Sequence, residues 1–233
     1  MNVLAFDTSG DLLSVAVRRG GGAGGGGWAE ASLDLGLKHA EYLMGLIQAC
    51  MERSGMKPEE LDLIACMLGP GSFTGLRIGM ATAKGLALGL GKPFVAAPTL
   101  DCLAWGYEDY PGAVVPIMDG KKGRLYSAIY ERGRRTSGPL DLPLASLAAL
   151  LDTYSEAMVT GPDAELFREL ANERSGFRID RRARMPAARA LVEIGTELFL
   201  EKGPASPDEG PLYLRPSEAE ESAAERERES HGS

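Results

Sequence analysis

Histidine and cysteine are scarce in this chain, two and three among 233 residues. Cys50, Cys66 and Cys102 are odd in number and widely spaced, without a metal-ligand or disulfide pattern, so reduced core thiols are expected. His231 lies in a polar stretch, which leaves His39 as the only other imidazole and excludes a zinc site of the usual His/Cys kind. No apolar run approaches the roughly 20 residues that a membrane span needs. The opening MNVLAFDTSG lacks a basic start and a long apolar stretch, so a cytoplasmic protein is expected. A strong basic stripe is missing too. The net charge is −8, and SEAEESAAERERESHGS, residues 217–233, supplies −4 of it through six Glu against two Arg. That balance argues against an autonomous nucleic-acid binder. The local basic clusters DGKKGRLYSAIYERGRR and FRIDRRARMPAAR read as solvated surface, with RNA backbone contact as the minority reading.

What is present is an ordinary globular composition, 44% hydrophobic and 25% charged. VLAFDTS and LSVAVRRG are β-rich runs joined by Ser9, Gly10 and Asp11, a predicted hairpin. GGAGGGG, residues 21–27, reads as a flexible turn before a third strand, WAEASLDL. A helix is predicted from about Leu37 to Ser54, closed by Gly55, with Pro58 beyond. LDLIACMLG is a buried strand, and TLDCLAWGYED reads as a helix capped by Thr99. VVPIMDGKKGRLYSAIY then repeats the opening plan of strand, Asp, polar turn and strand, with Asp7 and Asp119 in matching places. Two related halves are expected, the second with fewer strand signals. PLASLAALLDTY, AELFRELANERSG and AARALVEIGTELFLEKG read as helices, and EAMVTG as a strand. The residues from Ser217 onward have no apolar anchor and read as disordered.

The most unusual stretch is LGPGSFTGLRIGMATAKGLALGLGKP, Leu68 to Pro93. A Gly-rich turn at a helix start commonly cradles phosphate. This one fits neither GxxxxGK[ST], since Gly91-Lys92 is followed by Pro93, nor GxGxxG, since Thr74 stands where Gly is needed. A GxSxG nucleophile elbow fails as well, because Pro70 precedes Gly71-Ser72 and Phe73-Thr74 follows. In the helix, Arg77 and Lys84 share one narrow strip and almost everything else is apolar or small. Such a helix must be covered on more than one side. Its glycines cost about 1 kcal/mol each relative to Ala, which makes sense where another backbone comes close. The preceding helix offers Ala40, Leu43, Met44, Ile47 and Met51 as a core stripe, and Tyr42, Leu46 and Ala49 as a second, partly apolar face. Excess apolar area of this kind marks association; the alternative is a helix central in a three-layer domain. Asp7 and Thr8 from one half, facing Asp119 from the other, could alternatively hold the metal–phosphate shell of a nucleotide.

LAFDTS, GPGSFTGLRIGMATAKGLALG and the late YLRPS resemble the TsaB (YeaZ) family over about residues 1–216. The resemblance implies an α/β actin/Hsp70-like (ASKHA) fold of two RNase H-like lobes, residues 1–110 and 111–216, the second abbreviated. It implies a non-catalytic paralogue of TsaD, the transferase that places a threonylcarbamoyl group on adenine beside the tRNA anticodon. Partner contact through the first two helices is implied, which nominates His39, Tyr42 and Leu46 together with Leu76, Arg77, Gly79, Met80, Ala83, Lys84 and Gly85. A TsaE-like P-loop ATPase joins the implied complex, and tRNA is met indirectly. No cofactor is required by this chain alone; ATP or ADP with magnesium would enter in the complex. Self-association of the isolated chain through the same helices stays open. Two other functions stay open beside this one: an actin-like ATPase or phosphotransferase resting on Asp7 and Asp119, and a glycoprotease-like peptidase, against which the missing histidines speak. GGAGGGG and the acidic tail depart from the family pattern without touching its motifs.

Overall fold

The computed structural model describes residues 1–21, 26–34, 36, 38–173, 175–180 and 187–216. Most of the Gly-rich turn and the acidic tail therefore lie outside the described residues. Two apolar runs, β1 (Val3–Asp7) and β2 (Leu12–Arg19), form the predicted hairpin, and β3 (Gly27–Asp34) adds antiparallel to it. The chain then crosses through α1 (His39–Ser54) to β4 (Leu63–Gly69), which pairs parallel to β1. A second crossover, α2 (Phe73–Leu90), leads to the parallel β5 (Phe94–Pro98). The resulting order is β3-β2-β1-β4-β5.

After α3 (Thr99–Ala104) the plan recurs. The strands β6 (Ala113–Asp119), β7 (Arg124–Ser127), β8 (Tyr130–Glu131), β9 (Arg134–Arg135) and β10 (Leu140–Pro143) lead through α4 (Leu144–Leu151) to β11 (Ala157–Thr160). A 3-10 turn at Ala164–Phe167 and α5 (Arg168–Asn172) connect to β12 (Phe177–Ile179), and α6 (Ala188–Lys202) closes the helical part. The second sheet runs β10-β7-β6-β11-β12, with β8 and β9 as a side hairpin on β6. Antiparallel and parallel pairings fall in the same places as in the first sheet. Each half is an RNase H-like lobe. The second is abbreviated, its outer strands shortened to four and three residues.

Strand alternation feeds a separate core on each face. Leu4 and Phe6 of β1 meet α1 and α2, while Val3 and Ala5 meet α6. In β6, Val115 and Ile117 join the core under α4, and Val114 and Met118 face Leu100 of α3. α6 follows the second lobe in sequence but covers the back of the first sheet, where Gly195 lies so close to Ala65 that a Cβ would come to 2.9 Å.

Three local expectations are corrected. The helix after β5 stops at Ala104 because Trp105 turns extended and Gly106 takes φ 88, and its N-cap is Pro98 rather than Thr99. AELFRELANERSG divides into a 3-10 turn and a short α-helix. Met44 and Ala40 are exposed, because α1 packs through His39, Leu43, Ile47, Cys50 and Met51, a face that keeps Leu43, Ile47 and Met51 of the expected stripe but is turned toward His39 and Cys50. All three cysteines are buried free thiols, and burial pushes Cys66 up to about 12. No helix among the described residues is long and apolar enough to cross a membrane.

Candidate functional site

The Gly-rich turn before α2 is filled by the chain itself. Ser72 N–H donates to the Ser9 carbonyl at 2.7 Å, and the Thr8 hydroxyl donates to the Gly75 carbonyl at 2.7 Å. A Cβ at Gly71 would stand 2.6 Å from the Ser9 oxygen, one at Gly79 would stand 2.5 Å from the Thr8 hydroxyl, and one at Gly75 would collide with the Thr8 carbonyl. These three glycines let α2 rest directly on the β1–β2 turn. Ser72 caps the helix by accepting from Gly75 N–H at 3.3 Å.

The matching aspartates share one local geometry. Ser9 N–H donates to Asp7 Oδ1 at 2.7 Å, and Lys121 N–H donates to Asp119 Oδ1 at 2.8 Å. Their surroundings differ. Asp7 is 7% exposed, and burial raises its pKa despite the Ser9 hydrogen bonds and the nearby His39. Asp119 is more open and sits below the ordinary carboxylate range, because the hydrogen bonds and charge of Lys121 and the charge of Arg215 outweigh its partial burial. No hydrogen bond joins Asp7 to Asp119 among the described residues. The cleft side of the second lobe instead gathers Asp119, Lys121 and Asp163, with Asp11 of the first lobe close enough to act on Lys121 and Asp163. Lys121 Nζ pairs with Asp119 at 2.9 Å, and Asp163 Oδ2 accepts the Asp119 N–H at 2.7 Å.

Asp163 was missed by sequence reasoning. A signal existed in a second internal repeat: β4 ends in Gly69-Pro70 and β11 runs into Gly161-Pro162, with both glycines at positive φ. Of the residues nominated for nucleotide contact, Asp7 accepts from Ser9 N–H, the Thr8 hydroxyl donates to the Gly75 carbonyl, and Asp119 pairs with Lys121. Among the described residues, no group of three or more His, Cys, Asp or Glu is arranged to hold a metal ion.

The nominated partner residues separate into two sets. His39, Leu76, Gly79, Met80 and Ala83 are buried within the chain and are corrected to core positions. His39 Nε2 donates to the Gly10 carbonyl at 2.6 Å, and Leu76 and Ala83 are fully enclosed. Tyr42, Arg77 and Gly85 are exposed, and Leu46 and Lys84 are half-buried. The outer face also presents Met44 and Leu88, 52% and 87% exposed, beside a groove of about 470 Å³ between α1 and α2 that Met44, Gln48, Met56, Leu86 and Leu90 help to line. Met44 and Leu88 are the residues that sequence reasoning left out of the face. Nothing lies within 4 Å of a Cβ at Gly45, Gly85 or Gly89, so this side is open to a close approach.

Residues 35–180, more than half of the chain, match the family model described as TsaD, tRNA N6-adenosine threonylcarbamoyltransferase. The chain is 29% identical to the tRNA threonylcarbamoyladenosine biosynthesis protein TsaB of Escherichia coli K12, over 92% of this chain and 95% of that one. It is 34% identical to the Bacillus subtilis protein of the same name over 56% of each chain. The crystal structure of YeaZ from Pseudomonas aeruginosa superposes with a TM-score of 0.76 at 24% identity, covering 91% of this chain and 99% of that one, which shows a shared fold.

Proposed function

Because the chain belongs to the TsaD-type family and, within it, to the TsaB (YeaZ) group, we propose that it is the non-catalytic scaffold of a TsaD-type transferase. Its place is in the biosynthesis of threonylcarbamoyladenosine in tRNA, the process that its TsaB relatives are named for. One observation carries the scaffold reading: the Gly-rich turn is closed onto Ser9, while the outer sides of α1 and α2 carry uncovered apolar side chains. The motif builds a rigid support and leaves its far side for a partner. Tyr42, Met44 and Leu88 are large apolar anchors of the type that dominate interfaces, and Arg77 and Lys84 add a basic rim.

The partner on this face is the TsaD-type subunit. Isolated chains would pair through the same face, in competition with it. Nucleotide handling falls to a TsaE-like P-loop ATPase and to the transferase, and tRNA is met through the complex. Soluble function in the cytoplasm accords with this role.

Reconstitution tests the proposal. The transferase, the ATPase and substrate tRNA are incubated with and without this chain, and modified adenosine is quantified. Formation that depends on this chain, which alone forms none, is the expected result. Full modification without it would overturn the scaffold reading. A second reading, ATP turnover by this chain, rests on the cleft group Asp119, Asp163 and Lys121. Turnover by the isolated protein that is lost in Asp163→Asn would favour it.

A further inference from the structure

Residues 212–215, which lead into the late YLRPS motif that starts at Tyr213, touch both lobes. Leu212 N–H donates to the Leu68 carbonyl at 2.7 Å, and the Leu212 carbonyl occupies the space where Gly69 would carry a Cβ. Tyr213 lies on Phe73 with ring centroids 4.5 Å apart, and its hydroxyl accepts from Arg77 Nε at 3.1 Å. The Arg77 guanidinium is also stacked 3.9 Å above the Phe73 ring. Two residues later Arg215 reaches the other lobe. It donates to the Gly120 carbonyl, pairs with Asp141 at 3.2 Å and lies over the Tyr126 ring at 5.6 Å. Asp141 is held in turn by Arg124 at 2.9 Å.

Two consequences meet in these residues. Arg77 is an exposed cation whose plane is fixed by a ring below and a hydroxyl beside it, and it forms no ion pair among the described residues. A guanidinium held in this way suits a carboxylate on a docking protein, because little side-chain freedom is left to lose. The same tyrosine that fixes Arg77 is two residues from the arginine that grips the turn after β6, where Asp119 and Lys121 stand.

We propose that Leu212–Arg215 is a strap that couples the direction of Arg77 on the partner face to the geometry of the cleft between the lobes. A carboxylate-bearing protein that engages Arg77 then acts on the Gly120 turn through Tyr213 and Arg215. By reciprocity, a change at that turn alters docking. The docking half rests on the partner reading given above; the coupling half does not.

Amide hydrogen exchange on the full chain separates the two. Arg215→Ala removes the grip in the second lobe, and exchange is followed at 73–78 in the first. Tyr213→Phe keeps the ring on Phe73 but removes the hydroxyl, and exchange is followed at 119–124 in the second lobe. Each variant is expected to speed exchange at the remote end by roughly threefold or more, with a cooperative melt retained. Changes confined to the mutated lobe in both variants would overturn the strap. Binding of the TsaD-type transferase gives the other readout, where Arg77→Ala and Arg215→Ala are each expected to weaken association by roughly 3–30-fold. Unchanged binding of Arg77→Ala would overturn the docking half, whatever the exchange shows.

Discussion

Gly75, Gly79 and Gly85 look alike in the sequence and have different work in the structure. The first two have the β1–β2 turn against them, whereas Gly85 faces open space. Gly75→Ala must push the Thr8 backbone away, an overpacking cost of about 1–3 kcal/mol or more. At this chain length a melting point lower by roughly 3–10 °C follows, measurable by calorimetry. Gly85→Leu meets nothing and gains helix propensity, so its melt should match or exceed the parent's. If both variants melt alike, the close approach of α2 to Thr8 is wrong. By helical spacing Gly79 and Gly85 lie on different sides of α2, but spacing alone does not say which side is inside. That depends on where the β1–β2 turn lands. Asp7 offers a second test at this scale. Unfolded, its carboxyl ionises near 3.8; folded, burial makes it hold its proton to higher pH. Between those two values the unfolded state binds fewer protons, so stability falls as pH rises through the window and stays lower above it. Asp7→Asn keeps an acceptor for Ser9 N–H and removes this component. Its melting point at neutral pH should be no lower than the parent's, and its fall with rising pH above about 4 should be shallower. Asp163 shifts in the same direction but is common to both proteins, so the difference belongs to Asp7. A steeper fall in the variant would contradict the burial of an unfavourable charge.

At the level of elements, the long ones were legible because periodicity and end signals agree in them. α1 ends at Gly55 in the left-handed region, and α2 begins at the Ser72 cap. The β1–β2 hairpin follows from two apolar runs around a turn. By contrast, β5, the β8–β9 side hairpin, β10 and β12 escaped notice. β10 and β12 are too short to show a period, and Phe94–Pro98 is an apolar run closed by proline that owes its strand state to the parallel neighbour β4. Tertiary pairing decides such segments. The placement of α6 was not legible either, since an apolar face does not name the sheet it covers. Its observed position carries a prediction. Ending the chain at residue 187 removes the cover from Val3, Ala5, Leu63, Ala65 and Met67. The first lobe should then lose its cooperative melt although every one of its strands is retained. A shortened chain that melts at the parent temperature would contradict the packing described for α6.

In the whole molecule, two copies of one strand plan have diverged in what surrounds the matching aspartates. In the first lobe, Asp7 is enclosed and the turn before α2 is filled by the chain itself. In the second, Asp119 and Asp163 stay at a partly open cleft beside Lys121. The duplication was legible from the repeated strand–Asp–turn plan. The closed turn was legible only in part, because its failure to fit a phosphate-loop pattern does not name the Ser9 carbonyl as the group that fills it. Half of the nominated partner residues proved to be core for a related reason: an apolar helix does not reveal how much of itself its own sheet takes. The central claim is that the side of α1 and α2 left over after that packing is where a TsaD-type transferase docks. Titration calorimetry of the purified transferase into this protein, carried out with the parent and with Met44→Glu/Leu88→Glu, tests it most directly. Both positions are exposed, so the variant should keep the parent's melting point, while two charges in an apolar interface weaken association by a hundredfold or more, about 3 kcal/mol. Unchanged affinity in a folded variant would contradict the account.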